Sequence, residues 1–177
     1  NTDRPFVLWL KGDQNTSCST AGCSLQNWND SSLANATGAA FNNPTLSLGA
    51  SNYNPAVTFN GTNQYVDMAD GYSNFTGGVS VYTVAKPTAT NNFGRFIDFG
   101  NGSGNNNILF TRNSTTQNVH FESFNGTTGG AVITTNSPIV NNVENMYSAF
   151  QNAGSGAVGI RKNGGLQASE ELPLFLQ

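Results

Sequence analysis

The sequence predicts an all-β fold, and three observations carry that prediction. Charged residues make up only 10% of the chain, against about 25% in an ordinary globular protein. Asn, Thr, Ser and Gly stand where Lys and Glu usually do, whereas long helices are built from Ala, Leu, Glu and Lys. Short runs of β-branched and aromatic residues recur between turns rich in Asn and Gly, which is the pattern of a sandwich or a barrel. At 177 residues the chain is long enough to bury roughly 70% of its unfolded surface, so residues 1–177 are read as one domain.

"PFVLWLK", Pro5 to Lys11, reads as the first strand. Gly12 to Gly22 is a polar loop that carries Cys18 and leads into "CSLQNWND", a second strand from Cys23 to Asp30 with Trp28 near its end. Ser31 to Asn54 is a long polar stretch containing Pro44. "AVTFN" and "QYVDM" alternate in polarity and read as a strand pair joined at Asn60-Gly61, with Phe59 buried between sheets. "GVSVYTVAKP", Gly78 to Pro87, is the clearest strand. Val79, Val81 and Thr83 take one face and Ser80, Tyr82 and Val84 the other, and two fairly apolar faces suit a central strand. Pro87 ends it, because proline cannot donate to a ladder.

"FGRFIDFG" alternates again, with Phe96 and Asp98 on one face and Arg95, Ile97 and Phe99 on the other. Asn101 to Asn107 is an open turn, and "ILFTR" pairs with "NVHFES" across "NSTTQ" as a hairpin. "GGAVITT", "MYSAFQ" and "GAVGIRKNGG" are three more strands, and "NNVENMYS" has room for one helical turn. Strand position assigns Tyr82, Phe96, Phe99, Phe110 and Phe121 to the core, together with Trp9 of the first strand.

Charge and cysteine usage exclude some functions. The net charge is −3 with seven Lys and Arg, whereas nucleic-acid binding needs a basic face to displace counterions. No apolar run approaches the 18 or so residues of a membrane span. The first residue is Asn1, so the chain reads as a mature or excised piece. Cys18 and Cys23 enclose four small or polar residues. A local disulfide is preferred over two free thiols; with no second Cys pair or His cluster, zinc is not expected. Closing so small a ring stabilises by roughly 2 kcal/mol in the chain-entropy model and points to an oxidising, extracellular setting. The eight N-x-S/T sequons are read as a surface signature rather than as glycosylation.

The segments "LWLKGD", "WNDSS", "NPAVTFNGTNQYVDM", "FTGGVSVYTVAKP" and the late "GIRKNGG" follow one another in an order that resembles the laminin-G-like branch of the concanavalin-A-like lectin/glucanase superfamily, in particular its modules from bacterial surface proteins. The resemblance runs from Phe6 to about Leu166, and its most specific piece is Pro55 to Tyr65. It implies a jelly-roll β-sandwich of two antiparallel sheets. It implies binding of glycans or other surface ligands, often with calcium, and a structural role for Trp28. Two departures stand out. Trp28 and Asp30 are followed by "SSLANATG" instead of a Gly- and Asn-rich turn. The chain also closes with "ASEELPLFLQ" where the family adds a Gly-rich loop and another long strand. One sheet is therefore expected to lack its last strand, unless the apolar tail folds back, a continuation fills the gap, or another molecule donates a strand.

Catalysis is not expected. Retaining glycosidases place two carboxyls about 5–5.5 Å apart, and no E-x-D-x-x-E pattern occurs. His120 shares a strand face with Glu122, but no Ser or Cys beside them is marked as a nucleophile. Asp67 and Asp70 lie at a strand end in "DMADG"; they either hold calcium, which collects six to eight oxygens, or cap turns through their own backbone. Sugars present apolar C–H faces and polar edges, so a glycan site needs an aromatic platform and amides. Tyr72, Asn101, Asn105, Asn106 and Asn107 are the candidates in predicted loops. The expected function is a non-catalytic extracellular adhesion or glycan-binding module, with a structural spacer or fibre subunit as the rival and a divergent glycanase as a weaker third. Partners are a glycan or cell-surface ligand, and other copies or a larger surface protein at the open C-terminal edge.

Overall fold

The computed structural model describes residues 6–72, 74–100, 105–136 and 138–171, with backbone alone for 125, 128–132 and 171. The described chain is all-β: it contains strands and turns and no helix, and every strand pair is antiparallel. It divides into two compact units, Asn1–Tyr72 and Ser73–Gln177.

In the first unit β1 (Gly38–Phe41) pairs with β4 (Tyr65–Met68), and β2 (Thr45–Ser51) pairs with β3 (Asn54–Thr58). The expected hairpin across Asn60-Gly61 is thus absent; its two strands join different partners. The side chains of the loop explain why. Asn60 Oδ1 accepts from the backbone N–H groups of Thr62, Asn63 and Gln64, closing a broad Asx-type loop instead of a two-residue turn. Gln64 Nε2 then donates to the carbonyls of Asn42 and Asn43, and Asn42 Nδ2 donates to Asn63 O. These bonds fasten the 60–64 loop to the β1–β2 turn. Phe59, expected in the core, is 38% exposed at the start of that loop.

Other expectations in this unit also change. The described part of Pro5–Lys11 enters no ladder, and Trp9 is 46% exposed. The Cys23–Asp30 segment reaches its neighbours through isolated bridges, Ser24 to Thr45 and Asn27 to Ala39, and not as a full strand. β1 and all of β2 lie within Ser31 to Asn54, the stretch read as long and polar. Cys18 and Cys23 are joined as a disulfide, and the loop it closes is held by Gly22 N–H to Leu46 O and Leu46 N–H to Cys23 O.

The second unit is two four-stranded sheets packed face to face. One has the order β12 (Gly165–Glu171), β11 (Ala157–Lys162), β10 (Asn145–Gln151), β5 (Val79–Ala85). The other is a meander of β6 (Arg95–Phe99), β7 (Ile108–Arg112), β8 (Val119–Asn125) and β9 (Thr128–Thr134). Between them lies one cluster that includes Val81, Phe110, Val119, Phe121, Tyr147, Ala149 and Ile160. Phe96 caps it with its ring 5.2 Å from Phe110 and 5.4 Å from Tyr147. The β7–β8 hairpin across residues 113–118 forms as expected. β5 is an edge strand among the described residues, and Tyr82 and Val84, which alternate with core-facing Val81 onto the opposite face, are about 60% exposed instead of covered. The helical turn expected before β10 is a non-helical turn with Asn142 in the left-handed region. Leu172 to Gln177, the tail on which the missing-strand expectation rests, lie outside the described residues.

Asparagine supplies most of the left-handed turn positions among the described residues. There, eight of the eleven non-glycine residues with positive φ are Asn, the residue whose short polar side chain best tolerates that conformation after glycine. This links the composition directly to a fold of many short strands.

The burial pattern separates two phenylalanines. Phe110→Ala removes a fully buried ring and should cost about 3–5 kcal/mol. Phe59→Ala, at an exposed loop, should cost less than about 1 kcal/mol. Denaturant unfolding of both variants checks this; equal losses would mean that the two rings are equally buried.

Candidate functional site

The site on the second unit begins with a register irregularity. Arg95 pairs with Thr111, but Ile97, two residues on, pairs with Phe110. This β-bulge inserts one extra residue into β6. Strict alternation would place Phe96 and Asp98 together. The bulge instead lets Phe96, Ile97 and Phe99 all pack on the core, and puts Arg95 and Asp98 opposite Thr111 and Leu109 on the outer face. Arg95 Nε donates to Asp98 Oδ2 at 3.0 Å.

The register continues across the sheet. Leu109 faces Glu122 and Thr111 faces His120, which in turn faces Thr134. Asp98, Leu109 and Glu122 therefore form one row across three strands. A cleft of about 310 Å3 lies here, lined by Asn92, Phe93, Arg95, Leu109 and Glu122. Leu109 is a buried apolar floor, with exposed Phe93 as an aromatic wall. The amide of Asn92, the guanidinium of Arg95 and the carboxylate of Glu122 supply polar groups around them.

Two sets of hydrogen bonds hold this lining in place. His120 Nδ1 lies 2.8 Å from Thr134 Oγ1, and its Nε2 lies 3.0 Å from Glu122 Oε2. An ionised carboxylate only accepts, so Nε2 carries a proton and donates to Glu122, while Nδ1 shares its hydrogen bond with the Thr134 hydroxyl, accepting in the neutral imidazole and donating in the protonated one. The chain fixes the direction of the Glu122 side chain. On the other side Phe93 is anchored through its backbone: its N–H donates to Ser114 O at 3.2 Å and its carbonyl accepts from Arg95 Nη1 at 2.7 Å. Phe93 has φ +47°, a conformation that costs a bulky residue roughly 1–2 kcal/mol and that these bonds hold.

The loop bearing Phe93 is tied down by Arg112. This guanidinium is 3% exposed. It donates to the carbonyls of Thr116 and Ala89 and to the side-chain oxygens of Gln117 and Asn141. Burial pushes its pKa below the ordinary value, while neighbouring Tyr147 acts in the opposite direction. Arginine nonetheless stays charged at neutral pH.

The sequence-predicted residues fall elsewhere. Asn106 closes the turn before β7, with its Oδ1 accepting from Gly126 N–H and its own N–H donating to Gly126 O. Asn105 is half-buried beside it. Asn107 is buried and its Oδ1 has no hydrogen-bond partner. Asn101 lies outside the described residues. In the first unit Asp67 is exposed on β4 opposite Ala39, and Asp70 is exposed just beyond the strand. No group of three or more His, Cys, Asp and Glu among the described residues is placed to hold a metal.

Tyr72 belongs to a hydrogen-bonded centre of the first unit. Asp30 there is fully buried; its Oδ1 accepts from the backbone N–H groups of Trp9 and Ser32, and its Oδ2 from the Ser32 hydroxyl. Burial alone would raise the Asp30 pKa, but these bonds outweigh it, and the net shift is downward. The half-buried Tyr72 moves the other way. Burial raises its pKa, and the adjacent Asp30 charge and a hydrogen bond to Asp30 raise it further. Nearby, Phe6, Trp9, Ser31, Ser32 and Leu33 line a shallow cleft of about 240 Å3, with Lys11 Nζ 5.1 Å from the Trp9 ring centre.

No family model, curated protein or solved structure matches the chain. The disulfide is compatible with an extracellular protein, and no helix among the described residues is long and apolar enough to cross a membrane.

The depressed Asp30 pKa fixes the sign of an acid effect. Its stabilisation is fully present above the ordinary aspartate value of 3.8 and is lost as pH falls through the lower folded value. Asp30→Asn should be less stable at pH 7 and should show a flatter stability profile below about pH 4. Thermal melts across that range check this; the wild-type acid slope persisting in Asp30→Asn would remove Asp30 as its source.

Proposed function

We propose that this chain is a non-catalytic, extracellular glycan-binding or adhesion module, and that the saccharide sits in the cleft on the outer face of β6–β7–β8. The observation that carries this reading is the lining itself: an exposed Phe93 beside an apolar floor, ringed by an amide, a guanidinium and a carboxylate. A sugar ring offers an apolar C–H face to the aromatic wall and hydroxyls to the polar rim. At about 310 Å3 the space is at the small end of ligand sites.

The proposed fold is the jelly roll of the concanavalin-A-like superfamily, laminin-G-like branch. In support, β5 pairs with β10 and encloses the whole β6–β9 meander between them in sequence. Calcium is a weaker part of the proposal. Asp67 and Asp70 provide two exposed carboxylates, fewer than the six to eight oxygens of a calcium shell, so turn carbonyls and water would have to supply the remainder.

A glycan array probed with and without calcium tests this reading, together with Phe93→Ala. Binding to a defined set of glycans is expected, weakened about fivefold to tenfold by loss of the aromatic wall. An array without any bound glycan would overturn the reading. Identical binding in chelator would remove calcium from it.

A further inference from the structure

We propose that the outer-face cleft selects a saccharide bearing a free amino group, a hexosamine in its ammonium form, over neutral and acidic sugars. This rests on the saccharide reading of the cleft and adds the charge of the ligand. The inference comes from how the charges in the row Asp98, Leu109, Glu122 are matched. Asp98 has a permanent cation beside it: Arg95 Nε at 3.0 Å. The same guanidinium donates through Nη1 to the Phe93 carbonyl, so it is committed to the wall. Glu122 is different. Its partner is His120, which is charged only if protonated, and no Lys or Arg pairs with it among the described residues.

Of the two carboxylates in the row, Asp98 is matched by a permanent cation and Glu122 is not. The Glu122 side chain is 18% exposed. Its Oε2 is engaged by His120, leaving Oε1 able to accept from a ligand. Partial burial matters, because an ion pair in a half-dry cleft is screened less than one on an open surface. An ammonium on a sugar ring held against Phe93 would form a charge-assisted hydrogen bond to Glu122. A hydroxyl at that position forms a weaker neutral one, and the carboxylate of a uronic acid is repelled.

The test is NMR titration of the intact protein at pH 7 with glucosamine, glucose, N-acetylglucosamine and glucuronate. Glucosamine should bind about tenfold tighter than glucose, in line with one charge-assisted hydrogen bond over a neutral one. N-acetylglucosamine should follow glucose, and glucuronate should bind weakest. Glu122→Gln should bring the glucosamine-to-glucose ratio close to one, with an unchanged amide spectrum outside the cleft as the check on folding. Equal affinity for glucosamine and glucose, or a ratio that survives Glu122→Gln, overturns the inference but leaves the saccharide site standing. If none of the four sugars shifts resonances around Leu109 and Glu122, the saccharide reading falls, and the inference falls with it.

Discussion

A one-residue bulge in β6 decides what the outer face of the meander can do. Without it, Arg95 would lie on the side of Ile97 and Phe99, and Asp98 on the side of Phe96. Either arrangement would drive a charge toward the packed core, at a cost far above that of a local backbone irregularity. With the extra residue, three apolar side chains reach the core and both charges emerge together. The row Asp98, Leu109, Glu122 follows from that displacement, because β7 and β8 continue in regular register beyond it.

Arg112 serves the same site in a different way. A buried cation is usually matched by a carboxylate, yet its four hydrogen bonds end on neutral oxygens from four separate positions in the chain. The guanidinium has five donors in a rigid fork, so one side chain can bridge loops that are distant in sequence. Asp30 is its counterpart of opposite sign in the first unit: a buried carboxylate answered by backbone N–H groups and hydroxyls. In each unit a single buried charge organises polar loops that have little apolar surface of their own.

The all-β class was legible because it rests on composition and on runs such as "GVSVYTVA" and "FGRFIDFG", whose alternation needs no tertiary context. The Cys18–Cys23 bond was legible from spacing. Strands β1 and β2 were not, because "GAAF" and "TLSLGAS" are made largely of small and polar residues and lack a clear apolar stripe. The Asn60-Gly61 hairpin was misread for a related reason. That dipeptide signals a tight turn, but the side chains of Asn60 and Gln64 reach other backbone groups and hold the loop open. Of the cleft, only the shared strand face of His120 and Glu122 was visible in sequence. Arg95 and Asp98 read as facing opposite ways, and nothing short of the bulge could bring them together. Phe93 only opens the run "FGRFIDFG" in sequence, and its position in the wall depends on Arg112 and Ser114, distant partners that no local pattern names.

The asparagine-rich turns carry a consequence for the environments this protein can occupy. Its loops are closed by amides, hydroxyls and backbone groups. The only ion pairs among the described residues are Arg95 with Asp98 and His120 with Glu122. Dissolved salt weakens ion pairs by screening them, and both of these stand in or beside the cleft. Salt therefore acts on the groups around the cleft through those pairs, whereas the amide-closed turns offer it no ion pair to weaken among the described residues.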